Sequence, residues 1–172
     1  MDMARSGALR LLAGVRDGLS LSDQAGALKA LAPPDQARAV FDTNVGGVLN
    51  TVLPALDAMA AQPPAGPDGL RGRIAVIASV AAFIGVGGAP SYCASKAAVQ
   101  SWAEAMDMSE RRRGIRLHAV CPGYVRTNMT LGNRFPMPMV ISAEDAARRT
   151  LEGIRRGKTR IAYPFLVYAA AR

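Results

Sequence analysis

Three neighbouring stretches decide the architecture: GRIAVIAS (72–79), SYCASKAAVQSWAEAMDMSERRR (91–113) and IRLHAVCPG (115–123). The first is a short run rich in Ile and Val, of the length and type of a fully buried strand. The second carries Ala94, Ala97, Ala98, Trp102, Ala105 and Met106 at helical spacing and meets a helix stop at Gly114. The third reads as another buried strand. A glycine-rich loop, FIGVGGAP (83–90), joins the first strand to the helix. Strand, long helix and strand make a βαβ unit, which predicts a parallel sheet, a right-handed crossover and an α/β fold.

The flanks extend that pattern. From Pro34 a long helical pattern places Ala39, Val40, Phe41, Val45, Val48, Leu49, Val52, Leu53 and Leu56 on one side. Gly46-Gly47 interrupts it and predicts close packing or a bend. QPPAGPDGLRG (62–72) is a loop by composition. Downstream, a helix is expected over Ala143–Arg156 and a strand over Arg160–Tyr163, before a terminal PFLVYAAAR. Nearer the start, Leu19–Leu31 has helical spacing, and ALRLLAGV (8–15) reads equally as a short buried strand or a turn of helix. No internal repeat is present.

Half of the 172 residues are hydrophobic and a fifth are charged, which excludes a disordered chain. No run approaches the roughly 20 apolar residues of a membrane span. The first residues lack a signal-peptide cleavage pattern, and two cysteines, Cys93 and Cys121, make no disulfide framework. The expectation is a one-domain cytoplasmic protein. The net charge of +8 rests on arginine, since Lys29, Lys96 and Lys158 are the only lysines. Arg111, Arg112, Arg113 and Arg116 form one cluster, and Arg148, Arg149, Arg155, Arg156, Lys158 and Arg160 another. No aromatic residue interleaves with them, and Gly114 and Gly157 follow their helical parts. They read as solvated helix ends, and no nucleic-acid partner is expected.

Chemistry is expected at the carboxyl ends of the parallel strands, where such sheets bind ligands. Ser79 ends the first strand, Tyr92 begins the helix, and Cys121-Pro122-Gly123 ends the next strand. Lys96 follows Tyr92 by one turn and shares its helix face. An ammonium beside a phenol lowers the phenol pKa, which suits Tyr92 to acid/base work near neutral pH. Ser79 supplies a hydroxyl for a developing oxyanion. Each residue alone also has a plain structural reading, as a helix-start pair or a turn former. His118 lies mid-strand and reads as structural, and no metal ligands are expected.

Taken together, SVAAFIGVGGAPSYCASK, a strand and then PGYVRT resemble the short-chain dehydrogenase/reductase family, Rossmann-type nicotinamide-dependent oxidoreductases. Asn44 in FDTNVGG, Ser79 thirteen positions before Tyr92, Lys96 in YCASK, and Pro122-Gly123 with Thr127 carry the resemblance. It covers about residues 34–163. The resemblance implies a doubly wound parallel sheet and interconversion of an alcohol and a carbonyl with NAD or NADP. It implies Tyr92 as general acid/base and Lys96 as its pKa modulator and ribose ligand. Ser79 becomes the substrate-polarising hydroxyl, and Asn44 the holder of a relay water at a helix irregularity. Pro122, Gly123 and Val125 would wall the nicotinamide, and Thr127 would reach its carboxamide or the pyrophosphate. Residues 128–141, with Met129, Phe135, Met137, Met139 and Val140, would form an apolar substrate lid. A small, apolar alcohol or carbonyl substrate and a homodimer or tetramer are implied partners.

The family's phosphate-binding half has no match before Asn44. Ala13-Gly14-Val15 resembles only the end of the motif on its fourth strand, with Leu12 in place of Asn. The expectation is a family member shortened at front and back, with 1–33 poorly matched and 34–172 forming the catalytic part. Two outcomes stay open at this stage: a catalytic half that depends on a cofactor half, or a non-catalytic remnant acting as a dimerisation partner.

Overall fold

A computed structural model of the chain describes residues 34–131 and 137–171. Three parallel strands, β1 (Gly72–Ile77), β2 (Ile115–Pro122) and β3 (Arg160–Tyr163), lie in the order β1-β2-β3. Gly72 pairs with Ile115 at the start of the first ladder, and Ile77 with Val120 at its end. The second ladder runs from Ala119 opposite Arg160 to Pro122 opposite Tyr163. The expected α/β sheet is therefore present. Readings made upstream of residue 34, the strand or turn at 8–15 and the helix at 19–31, lie outside the described residues.

β2 is the central strand, and its alternation serves two cores. Ile115, Leu117, Ala119 and Cys121 point to one face, where they meet Val52, Leu56, Val99 and Ala103. Val120 points to the other, with Ala146, Ile161 and Tyr163. β1 departs from the sequence expectation of a fully buried strand. Val76 is buried, but Ala75 and Ile77 are exposed, Ile77 to 54%. Its Ile/Val content marks a strand, but how much of a strand is covered depends on its neighbours. Here β1 is the sheet edge among the described residues, and only its other face lies under helices.

The first core is roofed by α2 (Gly47–Ala61) and α3 (Pro90–Glu110), with α1 (Pro34–Phe41) lying against α3. Between α1 and α2 the backbone runs as a π-turn, Asp42–Gly46, so the bend expected at Gly46-Gly47 is a widened helical turn with Asn44 at its middle. α3 continues as a 3₁₀ turn, Arg111–Arg113, and stops at Gly114 (φ 72°), a left-handed conformation that glycine adopts without steric cost. On the opposite face lies α5 (Ala143–Arg155), whose N-cap Ser142 accepts a hydrogen bond from Asp145 N at 3.1 Å. Two short helices, α4 (Asn128–Leu131) and α6 (Phe165–Ala171), complete the set. No helix among the described residues is long and apolar enough to cross a membrane.

One carboxylate ties these layers together. Asp107, near the end of α3, is fully buried. Its Oδ1 accepts from Leu117 N (3.0 Å) and Arg116 Nε (2.7 Å), and its Oδ2 from Arg111 Nη2 (2.7 Å) and Thr159 Oγ1 (2.7 Å). These donors hold its carboxyl far below the usual carboxylate range, although burial pulls the other way. The arginine clusters are thus not simply solvated. Arg111 and Arg116 serve Asp107, Arg160 pairs with Glu104 at 2.5 Å, and Arg148 and Arg149 pair with Asp145. His118 is structural, as its position suggested. It is fully buried, its Nδ1–H donates to Lys158 O at 2.6 Å, and Nε2 has no partner among the described residues. Burial pushes its pKa below the ordinary histidine value.

Removing the Asp107 carboxylate strands two guanidinium groups and a buried backbone N–H. Asp107→Ala should therefore cost about 3–5 kcal/mol of unfolding free energy in urea titrations, and Asp107→Asn less, because its amide oxygen still accepts. The sign of the His118 effect also follows. Its folded-state pKa is depressed, so its contribution is complete above the ordinary value near 6.5. That contribution is lost as pH falls through the folded-state pKa, because the unfolded chain binds the proton more readily. Urea midpoints measured from pH 8 to 5 should fall, and His118→Asn should flatten that fall.

Candidate active site

Ser79 follows β1 in fully extended backbone (φ −164°, ψ 159°) and is buried. Its Oγ accepts from Ala81 N at 3.1 Å and so caps the 3₁₀ turn Val80–Ala82. The preceding residue is pinned to the central strand by Ala78 N donating to Val120 O at 2.7 Å. Ser79 is therefore held from both sides at the carboxyl edge of the sheet. Tyr92 lies in the first turn of α3, which Pro90 starts with its ring-fixed φ. The Tyr92 phenol faces the Ser79 side chain closely enough for the Ser79 hydroxyl to act on its pKa. Lys96 stands one turn further along, with Nζ 5.8 Å from the Tyr92 ring centroid and donating to Ile77 O at 3.1 Å.

The electrostatics differ from the sequence expectation in one respect. Lys96 was expected to lower the Tyr92 pKa, but burial of the phenol dominates and pushes it above its ordinary value. Hydrogen bonding from Ser79 works in the opposite direction without overcoming burial. The ammonium has little authority here because burial brings its own pKa down to about 8, and its Nζ is directed at the Ile77 carbonyl. At neutral pH Tyr92 is a neutral phenol and Lys96 a weakly held cation.

Asn44 reaches the same helix from the π-turn. Its Nδ2 donates to Ser95 Oγ at 2.9 Å, and Ser95 Oγ donates to the Tyr92 carbonyl at 2.8 Å. Ser79, Tyr92, Lys96 and Asn44 are thus brought together, with Ser95 as a member that the sequence reading did not single out. The available signal was its place in YCASK, where a small polar residue one turn after Tyr92 faces the α1–α2 layer.

The remaining expected residues divide. Pro122 and Gly123 lie at the carboxyl end of β2, on the same sheet edge as Ser79. Gly123 N donates to Tyr163 O at 2.7 Å, and a Cβ at Gly123 would come within 3.1 Å of Pro164 Cδ. Its smallness thus serves the close approach of the chain after β3. Val125 packs with Val120, Ala146, Ile161 and Tyr163 on the α5 side of the sheet. Thr127 is exposed, and its N–H is taken by Thr130 Oγ1 at 3.0 Å. No hydrogen bond among the described residues joins Val125 or Thr127 to the Tyr92 group. The expected lid leaves from a fixed base: Val125 and Ile141 form a parallel bridge, with Arg126 N donating to Ile141 O at 2.8 Å and Ile141 N to Tyr124 O at 3.1 Å. Phe135 lies outside the described residues. Met139 is exposed, as are Ile77, Ile84 and Val86 near Ser79.

The chain matches the family model described as short chain dehydrogenase over residues 13–135. It is 31% identical over 140 residues to an uncharacterized oxidoreductase of Myxococcus xanthus, covering 81% of this chain and 53% of that protein. The chain spans about half the length of this relative and less of others, such as 37% of the acetoacetyl-CoA reductase of Shinella zoogloeoides at 34% identity over 96 residues. The fold is that of a short chain dehydrogenase/reductase from Burkholderia phymatum, solved in complex with NAD. The TM-score is 0.69 at 23% identity, covering 82% of this chain and 58% of that one.

Burial alone sets the Lys96 shift, so its titration is a direct check on the site. After reductive methylation with ¹³C-formaldehyde, the Lys96 dimethylamine resonance should titrate near pH 8. A Lys96 midpoint above 10 would show the side chain in open solvent.

Proposed function

The chain belongs to the short-chain dehydrogenase family, and we propose that residues 34–172 carry the catalytic part of an oxidoreductase that interconverts an alcohol and a carbonyl compound with NAD or NADP. The observation that carries this reading is the meeting of the Tyr92 phenol with the Ser79 hydroxyl at the sheet's carboxyl edge, with Lys96 one turn behind. Tyr92 is protonated at neutral pH and donates to a carbonyl oxygen seated against it, while Ser79 donates a second hydrogen bond to that oxygen. In the alcohol-oxidising direction Tyr92 accepts the proton. A Lys96 pKa of about 8, one turn from the phenol, supports a part for it in moving protons to and from Tyr92.

The donor set suits the nicotinamide-riboside end of such a cofactor: two hydroxyls and an ammonium match ribose hydroxyls, and Pro122 and Gly123 edge the same side. Tyr92, Lys96, Pro122, Gly123, Val125 and Thr127 are the proposed contacts, and the nicotinamide supplies or receives the hydride when bound. Exposed Ile77, Ile84 and Val86 favour an apolar small-molecule substrate. Free, buried Cys93 and Cys121 suit a cytoplasmic location.

A second reading, association of copies through α2 and α3, is favoured by Leu53 and Met108, apolar side chains that stand exposed on those helices.

Under the enzyme reading, the full chain should quench or enhance NAD(P)H fluorescence on binding. Tyr92→Phe should lower turnover by about 10²-fold or more while leaving the urea midpoint within error of wild type. Undiminished turnover in Tyr92→Phe, or no binding at millimolar cofactor, would remove the enzyme reading and leave association as the function to pursue.

A further inference from the structure

We infer that Ser95 is a positioning residue, the joint through which the π-turn carrying Asn44 fixes the turn of α3 that bears Tyr92 and Lys96. The inference rests on the proposed role of that turn in proton transfer. Ser95 is fully buried, and its hydroxyl is used on both sides. It accepts from Asn44 Nδ2 at 2.9 Å and donates to Tyr92 O at 2.8 Å. The three groups form one directed chain, from side-chain amide to hydroxyl to backbone carbonyl, between segments 51 residues apart in sequence.

The π-turn explains why the joint is there. A widened turn shifts one residue out of ordinary helical phase, and here that residue is Asn44, whose amide reaches α3 instead of solvent. Two other hydroxyls show what a helical hydroxyl does without such a partner. Ser109 Oγ donates to Ala105 O at 3.2 Å on the same helix, and Thr51 Oγ1 to Gly47 O at 2.8 Å on α2; each bond stays within its own helix. Ser95 alone among these three links two elements. Without its hydroxyl, the Asn44 amide loses its partner in a half-buried place, and the first turn of α3 loses its tether to the roof. Tyr92 and Lys96 then keep only the Ile77 carbonyl and Ser79 as partners of their side chains.

The test uses the full chain and needs no turnover. In ¹³C-dimethylated protein, the Lys96 midpoint reports how dry the turn is, with Lys96→Arg assigning the signal. Ser95→Ala should move that midpoint upward by about half a pH unit or more, as water gains access. Ser109→Ala, which removes a hydroxyl of the same kind with no partner across, should leave it in place. Asn44→Ala should reproduce the Ser95→Ala shift, and the double variant should add nothing further. Ser95→Thr, which keeps the hydroxyl, should restore the wild-type midpoint. If Ser95→Ala fails to fold, Ser95→Cys, nearly isosteric with a weaker donor, should give a smaller shift in the same direction. An unchanged Lys96 midpoint in both Ser95→Ala and Asn44→Ala, or shifts that add in the double variant, would overturn the inference. Those outcomes leave the enzyme reading untouched, because that reading stands or falls on turnover in Tyr92→Phe.

Discussion

The Asp107 carboxylate is the constraint on which the arrangement depends. It sits at the far end of α3 from Tyr92 and collects donors from β2, from the approach to β3 and from the turn that ends its own helix. Fifteen residues of helix separate it from Tyr92, roughly 22 Å at the ordinary rise. A helix anchored at one end by a saturated buried carboxylate acts as a rigid arm, so the direction in which Tyr92 and Lys96 point is set partly at the opposite edge of the sheet. Burying a charge is costly unless its lone pairs are filled, and here they are.

At the other end of that arm, burial and charge compete, and burial wins. The phenol and the ammonium are both partly withdrawn from water, and each neutral form gains. The pair is less a phenolate with a counter-ion than a neutral phenol beside a weakened cation, the one pushed above its ordinary value and the other down to about 8.

The βαβ unit, its helix stop at Gly114 and the trio Ser79, Tyr92 and Lys96 were legible because each rests on local pattern: an Ile/Val run, a helical face, a spacing of four. What escaped depends on what each residue meets across the fold. A lone Asp in a helix flanked by arginines reads as a solvated surface, and nothing local shows that Asp107 is fully buried. Ser95 passes for a small filler until the π-turn brings Asn44 to it. The exposure of Ile77 follows from the place of β1 in the strand order, which a run of apolar residues does not encode. The bridge of Val125 with Ile141 is likewise a pairing across the fold that no local pattern marks.

That bridge has a consequence for how such a protein diversifies. With Val125 and Ile141 paired, the two ends of the intervening chain meet at the sheet, and the entropy of closing that loop is offset by ladder bonds that do not depend on what lies between. Lengthening a closed loop is cheap, about 0.6 kcal/mol for each doubling. Insertions, deletions and wholesale replacement between these two residues can therefore be sampled while strands, core and the helix bearing Tyr92 stay in register. The stem leaves the segment between Val125 and Ile141 free to vary in length and sequence.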